Sequence, residues 1–148
     1  MDALLFDLGG VVIEVDFDRI FKAWASAASL PTAQLAARFT FDAHYEAHER
    51  GAIELHEYCE HLRSALGLAL SDEELLAGWN RIFGAPVPGM QALLERLARL
   101  HPLYVFSNTN RAHMAHWEPR YRALLAPFSA VYCSCDLGMR KPDVEAFL

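Results

Sequence analysis

Three stretches of this 148-residue chain put reactive side chains where short apolar runs stop. Asp7 closes Ala3-Leu4-Leu5-Phe6, and Leu8, Gly9 and Gly10 follow it. Ser107 and Asn108 close Leu103-Tyr104-Val105-Phe106. Lys141 precedes Pro142, downstream of Ala130-Val131-Tyr132-Cys133. A carboxylate, a hydroxyl beside a backbone N–H and an ammonium together make a phosphoryl-transfer set. They supply a nucleophile, donors for the non-bridging oxygens and a fixed cation. In this reading Asp7 attacks phosphorus and becomes an aspartyl-phosphate. Ser107 and the Asn108 N–H hold phosphate oxygens, and Lys141 balances charge between nucleophile and phosphoryl group. Taken singly, Asp7 has the ordinary explanation of opening a turn, and Lys141 that of a solvated lysine. The case rests on all three standing at strand ends, where open α/β sheets place their ligands.

That placement requires particular elements. A continuous apolar run ended by glycines reads as a strand buried on both faces, so Asp7 is expected at the tip of a central strand. Residues 103–106 and 130–133 read as two further strands. Between the first strand and Phe83 the periodicity is helical. Ile20, Phe21 and Trp24 share one face, and Leu55, Tyr58, Cys59, Leu62 and Leu66 share another. Asp16 or Asp18 caps the first of these helices, and Ser71-Asp72-Glu73-Glu74 is a capping box for the last. Gly51 and Gly67 stand where helices stop. Residues 17–84 are expected to hold no strand. Ala85-Pro86-Val87-Pro88-Gly89 reads as a hinge. The order then becomes helix, strand, helix, strand, with a further helix beginning near Val144 to Leu148. Alternation of this kind implies a parallel sheet with right-handed crossovers. The expected architecture is α/β: a Rossmann-like core of residues 1–16 and 85–148 with about three strands, and a helical cap of residues 17–84 inserted after the first strand. Three strands make a thin sheet, so an incomplete core, or self-association through an exposed sheet edge, is expected.

At 53% hydrophobic and 22% charged, the chain is expected to fold. Its net charge of −6 disfavours a nucleic-acid binder. No apolar run reaches the ~18 residues of a membrane span, and the first residues lack the basic start of a signal peptide. Three cysteines in no framework spacing fit a reducing cytoplasm. Acidic residues dominate up to Val87, whereas basic ones prevail beyond it, so the C-terminal part is the better source of cations for an anionic ligand.

Phe6-Asp7-Leu8-Gly9-Gly10-Val11, Ser107-Asn108 and Lys141-Pro142 resemble the first three motifs of the haloacid dehalogenase-like hydrolases. The helical insertion resembles that family's C1-type cap. His48-Glu49-Arg50-Gly51, Phe106-Ser107-Asn108-Thr109-Asn110-Arg111 and Asp136-Leu137-Gly138-Met139-Arg140-Lys141-Pro142 strengthen the likeness, most of all to sugar-phosphate phosphatases of the family. The resemblance implies a phosphate monoester hydrolase acting on a small sugar phosphate. It also implies Mg²⁺ held by the Asp7 carboxylate and the Gly9 carbonyl. Two departures accompany it. Gly9 stands where most such phosphatases have a general acid–base Asp. The family's fourth motif, an acidic pair for Mg²⁺, is not found after Lys141. The chain is therefore expected to be truncated before that motif, to bind Mg²⁺ weakly or not at all, and to be nearly inactive by itself. A 2-haloacid dehalogenase, in which Asp7 attacks carbon without a metal, is one alternative. A non-catalytic binding fragment is the other.

Other residues weigh less. His44 and His48 are four apart on a helix, but without a third ligand they read as cap-surface or cap–core residues rather than a metal pair. His113 and His116 are similar. Cys133 and Cys135 read as neighbours on one strand face, packed rather than redox-active. Glu49, Arg50, Asn110 and Arg111 are expected either to contact substrate or to stay solvated.

Overall fold

The computed structural model describes residues 2–147. In chain order, β1 (Leu4–Phe6) and β2 (Ile13–Val15) are followed by α1 (Phe17–Ala28), α2 (Thr32–Arg38), α3 (Ala43–Glu49), α4 (Leu55–Leu66) and α5 (Asp72–Trp79). Next come β3 (Phe83–Pro86), α6 (Met90–Leu97), β4 (Leu103–Ser107), α7 (Arg111–Arg120) and α8 (Arg122–Leu125). β5 (Ala130–Cys133) and α9 (Ser134–Leu137) complete the sequence, with a 3₁₀ turn over Val144–Phe147. The fold is mixed α/β with a Rossmann-like parallel sheet.

That sheet has the order β1-β4-β5. Phe6 is in register with Val105, and Ser107 with Cys133. All three strands run the same way, so Asp7, Ser107 and the segment after β5 emerge at one end. Leu103 and Val105 are fully buried, as a central strand requires. β4, not β1, holds that place. Among the described residues β1 pairs with β4 alone, and its Leu5 is 55% exposed. The first strand is therefore an edge strand among the described residues and not central as expected, because an apolar run does not say which of its edges has a partner.

The segments leading into and out of the helical layer also differ from expectation. β2 and β3 pair antiparallel, with Ile13 opposite Pro86 and Val15 opposite Phe83. The hinge region thus begins as a two-stranded ribbon. Tyr121 reinforces it by donating from its hydroxyl to the Gly84 carbonyl at 2.5 Å. Three- and four-residue strands are too short to show a period of two, and Pro86 is tolerated because it ends an edge strand. The last expected helix is instead a 3₁₀ turn, and Leu148 lies outside the described residues. Cys135 sits in α9 rather than on a strand with Cys133, although both are buried.

Helices α1 to α5 gather around their own apolar cluster, separate from the cluster beneath the sheet. Their ends follow the sequence. Asp16 caps α1, and its side chain accepts from the Asp18 N–H. Ser71 and Glu74 form the reciprocal capping box of α5, and Gly67 closes α4 in the left-handed conformation. At the centre, the Trp24 and Trp79 rings stack 5.7 Å apart and 6° from parallel. The Trp24 indole N–H donates to the Leu75 carbonyl at 2.9 Å. Gly78 makes this approach possible, since a Cβ there would lie 2.3 Å from the Trp24 ring.

One buried histidine packs inside this layer, and a second ties it to the sheet's helix α7. His48 stacks on Tyr58 at 4.5 Å, and burial pushes its pKa down to about 4. His113, from α7 beside the sheet, stacks on Trp79 at 4.8 Å and meets the Asn80 side chain at 3.0 Å. Burial holds it well below the ordinary histidine range.

Two predictions follow from this packing. Gly78→Ala should gain helix propensity of up to ~1 kcal/mol, yet overpacking against a rigid indole costs about 1–3 kcal/mol. Net destabilisation is therefore expected in urea unfolding. Both histidines are neutral when folded and take up protons on unfolding. Stability should then be full above pH ~6.5 and fall as the pH drops towards 4. His48 alone accounts for up to about 3 kcal/mol at ~1.4 kcal/mol per pH unit. The unfolding midpoint against pH should flatten in His48→Gln.

Candidate active site

The parallel register brings Asp7, Ser107 and Lys141 to one cleft of about 180 Å³, which Gly9 and Asn108 also line. The Lys141 ammonium lies 2.9 Å from Asp7 Oδ1 and donates to the Phe106 carbonyl at 2.7 Å. It also lies over the Phe106 ring, 5.4 Å from its centroid. Asp7 Oδ1 accepts in addition from the Leu8 N–H at 2.7 Å, so the carboxylate is oriented from two sides. Half of the Asp7 side chain remains exposed towards the cleft. Ser107 is 5% exposed at the end of β4.

The turn after Asp7 is built by backbone. The Leu8 carbonyl accepts from the Val12 and Ile13 N–H groups at 2.9 and 3.1 Å. Gly10 adopts φ +76°, which a residue with a Cβ rarely takes. Gly9 faces Val15, with space for a Cβ only 3.3 Å from that side chain.

Asn108 does more than its expected backbone role. Its side-chain amide donates to the Lys141 carbonyl at 2.9 Å, and its Oδ1 accepts from the Lys141 N–H at 2.8 Å. One side chain thereby satisfies both main-chain groups of Lys141. A spacing of 33 residues carries no sequence signal for such a clasp.

Helix α3 meets the same region from above. Glu49 and Tyr45 line the cleft. Glu49 is 5% exposed, and its carboxylate accepts from Arg140 Nε at 2.8 Å. Arg50 forms a two-pronged pair with Asp143, its second prong 3.1 Å long. Arg50 holds the Asp143 carboxyl below the ordinary range. The fully buried Ser134 hydroxyl accepts from the Thr109 N–H at 2.9 Å and donates to the Glu49 carbonyl at 2.6 Å. Charged and neutral contacts from α3 therefore flank Lys141 on both sides.

The remaining candidates separate. Of Glu49, Arg50, Asn110 and Arg111, only Glu49 lines the cleft. Asn110 is the N-cap of α7 and accepts from the His113 N–H. Arg111 reaches the Gly51 and Cys135 carbonyls. His44 and His48 do not converge: His48 is buried against Tyr58, whereas His44 is exposed and stacks on His61. His113 lines the floor of the cleft as well as the layer contact.

A parallel sheet with an acid and a hydroxyl at its strand tips, a lysine brought in by the segment after α9 and a helical layer above defines a Rossmann-like α/β protein. The family model of the haloacid dehalogenase-like hydrolases matches residues 1–148, and the chain belongs to that family. Among solved structures it is similar to the HAD family enzyme bt-2542 of Bacteroides thetaiotaomicron, in complex with magnesium and inorganic phosphate. Identity is 28% and the TM-score 0.81, over 99% of this chain and 75% of that one. A HAD-like family hydrolase of Porphyromonas gingivalis shares the fold at 21% identity and TM-score 0.78, over 99% and 73% of the two chains. A HAD phosphatase of Thermococcus onnurineus does so at 18% and 0.58, over 99% and 68%.

Magnesium asks for near-octahedral oxygen ligands. Asp7 and the Gly9 backbone are on the cleft, but Asp7 Oδ1 is already engaged by Lys141 and Leu8. The one other acid among the cleft's described residues, Glu49, is bound to Arg140. This donor set falls short of a magnesium cage.

Asn108→Ala leaves the Lys141 N–H and carbonyl without partners. An orphaned polar group costs about 1–3 kcal/mol, so denaturant unfolding should show a loss of that order. Asn108→Asp keeps the acceptor for Lys141 N–H and should lose less.

Proposed function

We propose that this chain is a phosphate monoester hydrolase acting on a small sugar phosphate through an aspartyl-phosphate. The observation that carries this reading is the Lys141 ammonium 2.9 Å from Asp7, in the cleft that Ser107 and Asn108 line. The phosphate complex of the similar Bacteroides enzyme supports it.

A phosphomonoester enters with its phosphorus facing the free oxygen of Asp7. Lys141, the Ser107 hydroxyl and the Asn108 N–H hold the non-bridging oxygens as charge develops on them. The Asp7 oxygen–phosphorus bond forms as the phosphorus–sugar oxygen bond breaks. The departing sugar oxygen takes a proton from solvent; water then attacks phosphorus, gives a proton back to solvent, releases inorganic phosphate and restores the Asp7 carboxylate. Gly9 offers no acid to protonate the leaving oxygen. An anomeric oxygen is a better leaving group than an ordinary alkoxide and needs less protonation. A sugar 1-phosphate therefore suits this cleft better than a 6-phosphate. Residues 17–84 act as a cap over residues 1–16 and 85–148, excluding competing water through the α3 contacts. The incomplete oxygen set makes these 148 residues bind Mg²⁺ weakly and turn over slowly alone. Among the described residues no helix is long and apolar enough to cross a membrane. Three free, buried thiols suit a reducing cytoplasm.

Calorimetry with inorganic phosphate should show binding to the wild type that is lost in Lys141→Ala; absence of phosphate binding by the wild type would overturn the reading. Turnover of α-D-glucose 1-phosphate should exceed that of glucose 6-phosphate and fall roughly a thousandfold or more in Asp7→Asn. Equal rates on the two esters would remove the leaving-group account. Metal-free chloride release from a 2-haloacid would favour dehalogenation instead.

A further inference from the structure

A second cluster of ligating side chains lies in the helical layer. Asp42 is the N-cap of α3, His44 stands in the first turn of α3, and His61 projects from α4. One donor atom from each lies within 4.8 Å of the other two. His61 Nε2 is 2.7 Å from Asp42 Oδ2. The His44 and His61 rings stack with centroids 3.9 Å apart and planes 8° from parallel. None of the three lines the cleft around Asp7.

We propose that Asp42, His44 and His61 bind one divalent transition cation of the zinc class. Two imidazole nitrogens and a carboxylate oxygen are a donor set that suits zinc and not the all-oxygen preference of magnesium. Three protein ligands leave the fourth tetrahedral position to water. Asp42 is held for the task, because its Oδ1 accepts from the Tyr45 N–H at 3.0 Å and leaves Oδ2 to the cation. His61 is already aimed at that oxygen. Coordination replaces their hydrogen bond, and the shared proton moves to Nδ1 or to solvent. Stacked rings cannot both aim lone pairs at one ion, so His44 must turn, and its exposed side chain is free to do so.

A neighbouring cluster shows what such a site cannot contain. His56 lies 2.6 Å from Asp72, but the Arg63 guanidinium sits 2.7 Å from the same carboxylate and opposes a second cation. Beside Asp42 and His61 the nearby Arg38 is instead turned to the Leu66 carbonyl at 3.2 Å. A cation on the proposed site cross-links α3 to α4, and α3 is the helix that presents Tyr45 and Glu49 to the cleft.

The test is titration of the intact 148-residue protein with Zn²⁺ by calorimetry, with melting temperature and Co²⁺ absorption as further readouts. One saturable site, a raised melting temperature and tetrahedral Co²⁺ bands are expected. Excess Mg²⁺ should not compete. His44→Ala changes an exposed side chain and should weaken binding roughly tenfold or more. His61→Gln keeps a hydrogen-bond donor for Asp42 and should do the same. His56→Ala should bind as the wild type does. No saturable Zn²⁺ uptake by the wild type, or unchanged uptake in folded His44→Ala and His61→Gln, would overturn the proposal.

Discussion

The ion pair between Asp7 and Lys141 is the constraint around which this molecule is arranged. Its two members lie on different segments 134 residues apart, and neither would hold its position unaided. Asp7 is fixed by the turn that the Leu8 carbonyl closes. Lys141 is fixed by the Asn108 clasp on its main chain and by the Phe106 carbonyl on its ammonium. The central strand β4 supplies both of those supports from residues at its end. The pair is therefore an outcome of parallel register, in which all strand tips share one end of the sheet. An isolated pair this exposed would contribute little to stability. Its consequence is chemical, because it sets a carboxylate oxygen beside a fixed positive charge.

Helix α3 is the second organising element. It is only seven residues long, yet it makes three kinds of contact. His48 enters the apolar cluster of the helical layer through Tyr58. Glu49 and Arg50 reach Arg140 and Asp143, on either side of Lys141. The Glu49 carbonyl meets Ser134, which also secures Thr109. The layers thus meet through oriented polar contacts at the cleft and through stacked rings behind it. Polar contacts at a layer boundary can exchange with water at modest cost, unlike the buried rings behind them. The β2–β3 ribbon joins the layers by hydrogen bonds rather than by a loose tether.

Gly9 concentrates the chemical individuality of the site. A glycine two residues beyond the carboxylate leaves the cleft without a second acid there, and Val15 closes in on the vacated direction. Glu49 is close at hand but is neutralised by Arg140. Within the cleft, the described carboxylates are thus Asp7, paired with Lys141, and Glu49, paired with Arg140.

Asp7 and Ser107 at strand ends were legible in the amino-acid order because apolar runs that stop at polar residues are local facts, whereas Lys141 does not end a strand but follows α9. So were the helix caps at Asp16 and Ser71, since a cap bonds to its own next turn. The parallel sheet followed from alternation of elements. Other features depended on partners distant in the chain. Whether Leu5 is covered depends on what packs over its face of the sheet, and it is 55% exposed. The β2–β3 ribbon needed two short segments to meet across the whole helical layer. The Asn108 clasp, the Ser134 bridge and the Asp42, His44 and His61 cluster join residues that no spacing rule links. Local order could say which residues end strands and cap helices, because those bonds close within a turn. Only the folded chain could say which side chains share a cleft, because that depends on register and on which layer packs over the strand tips.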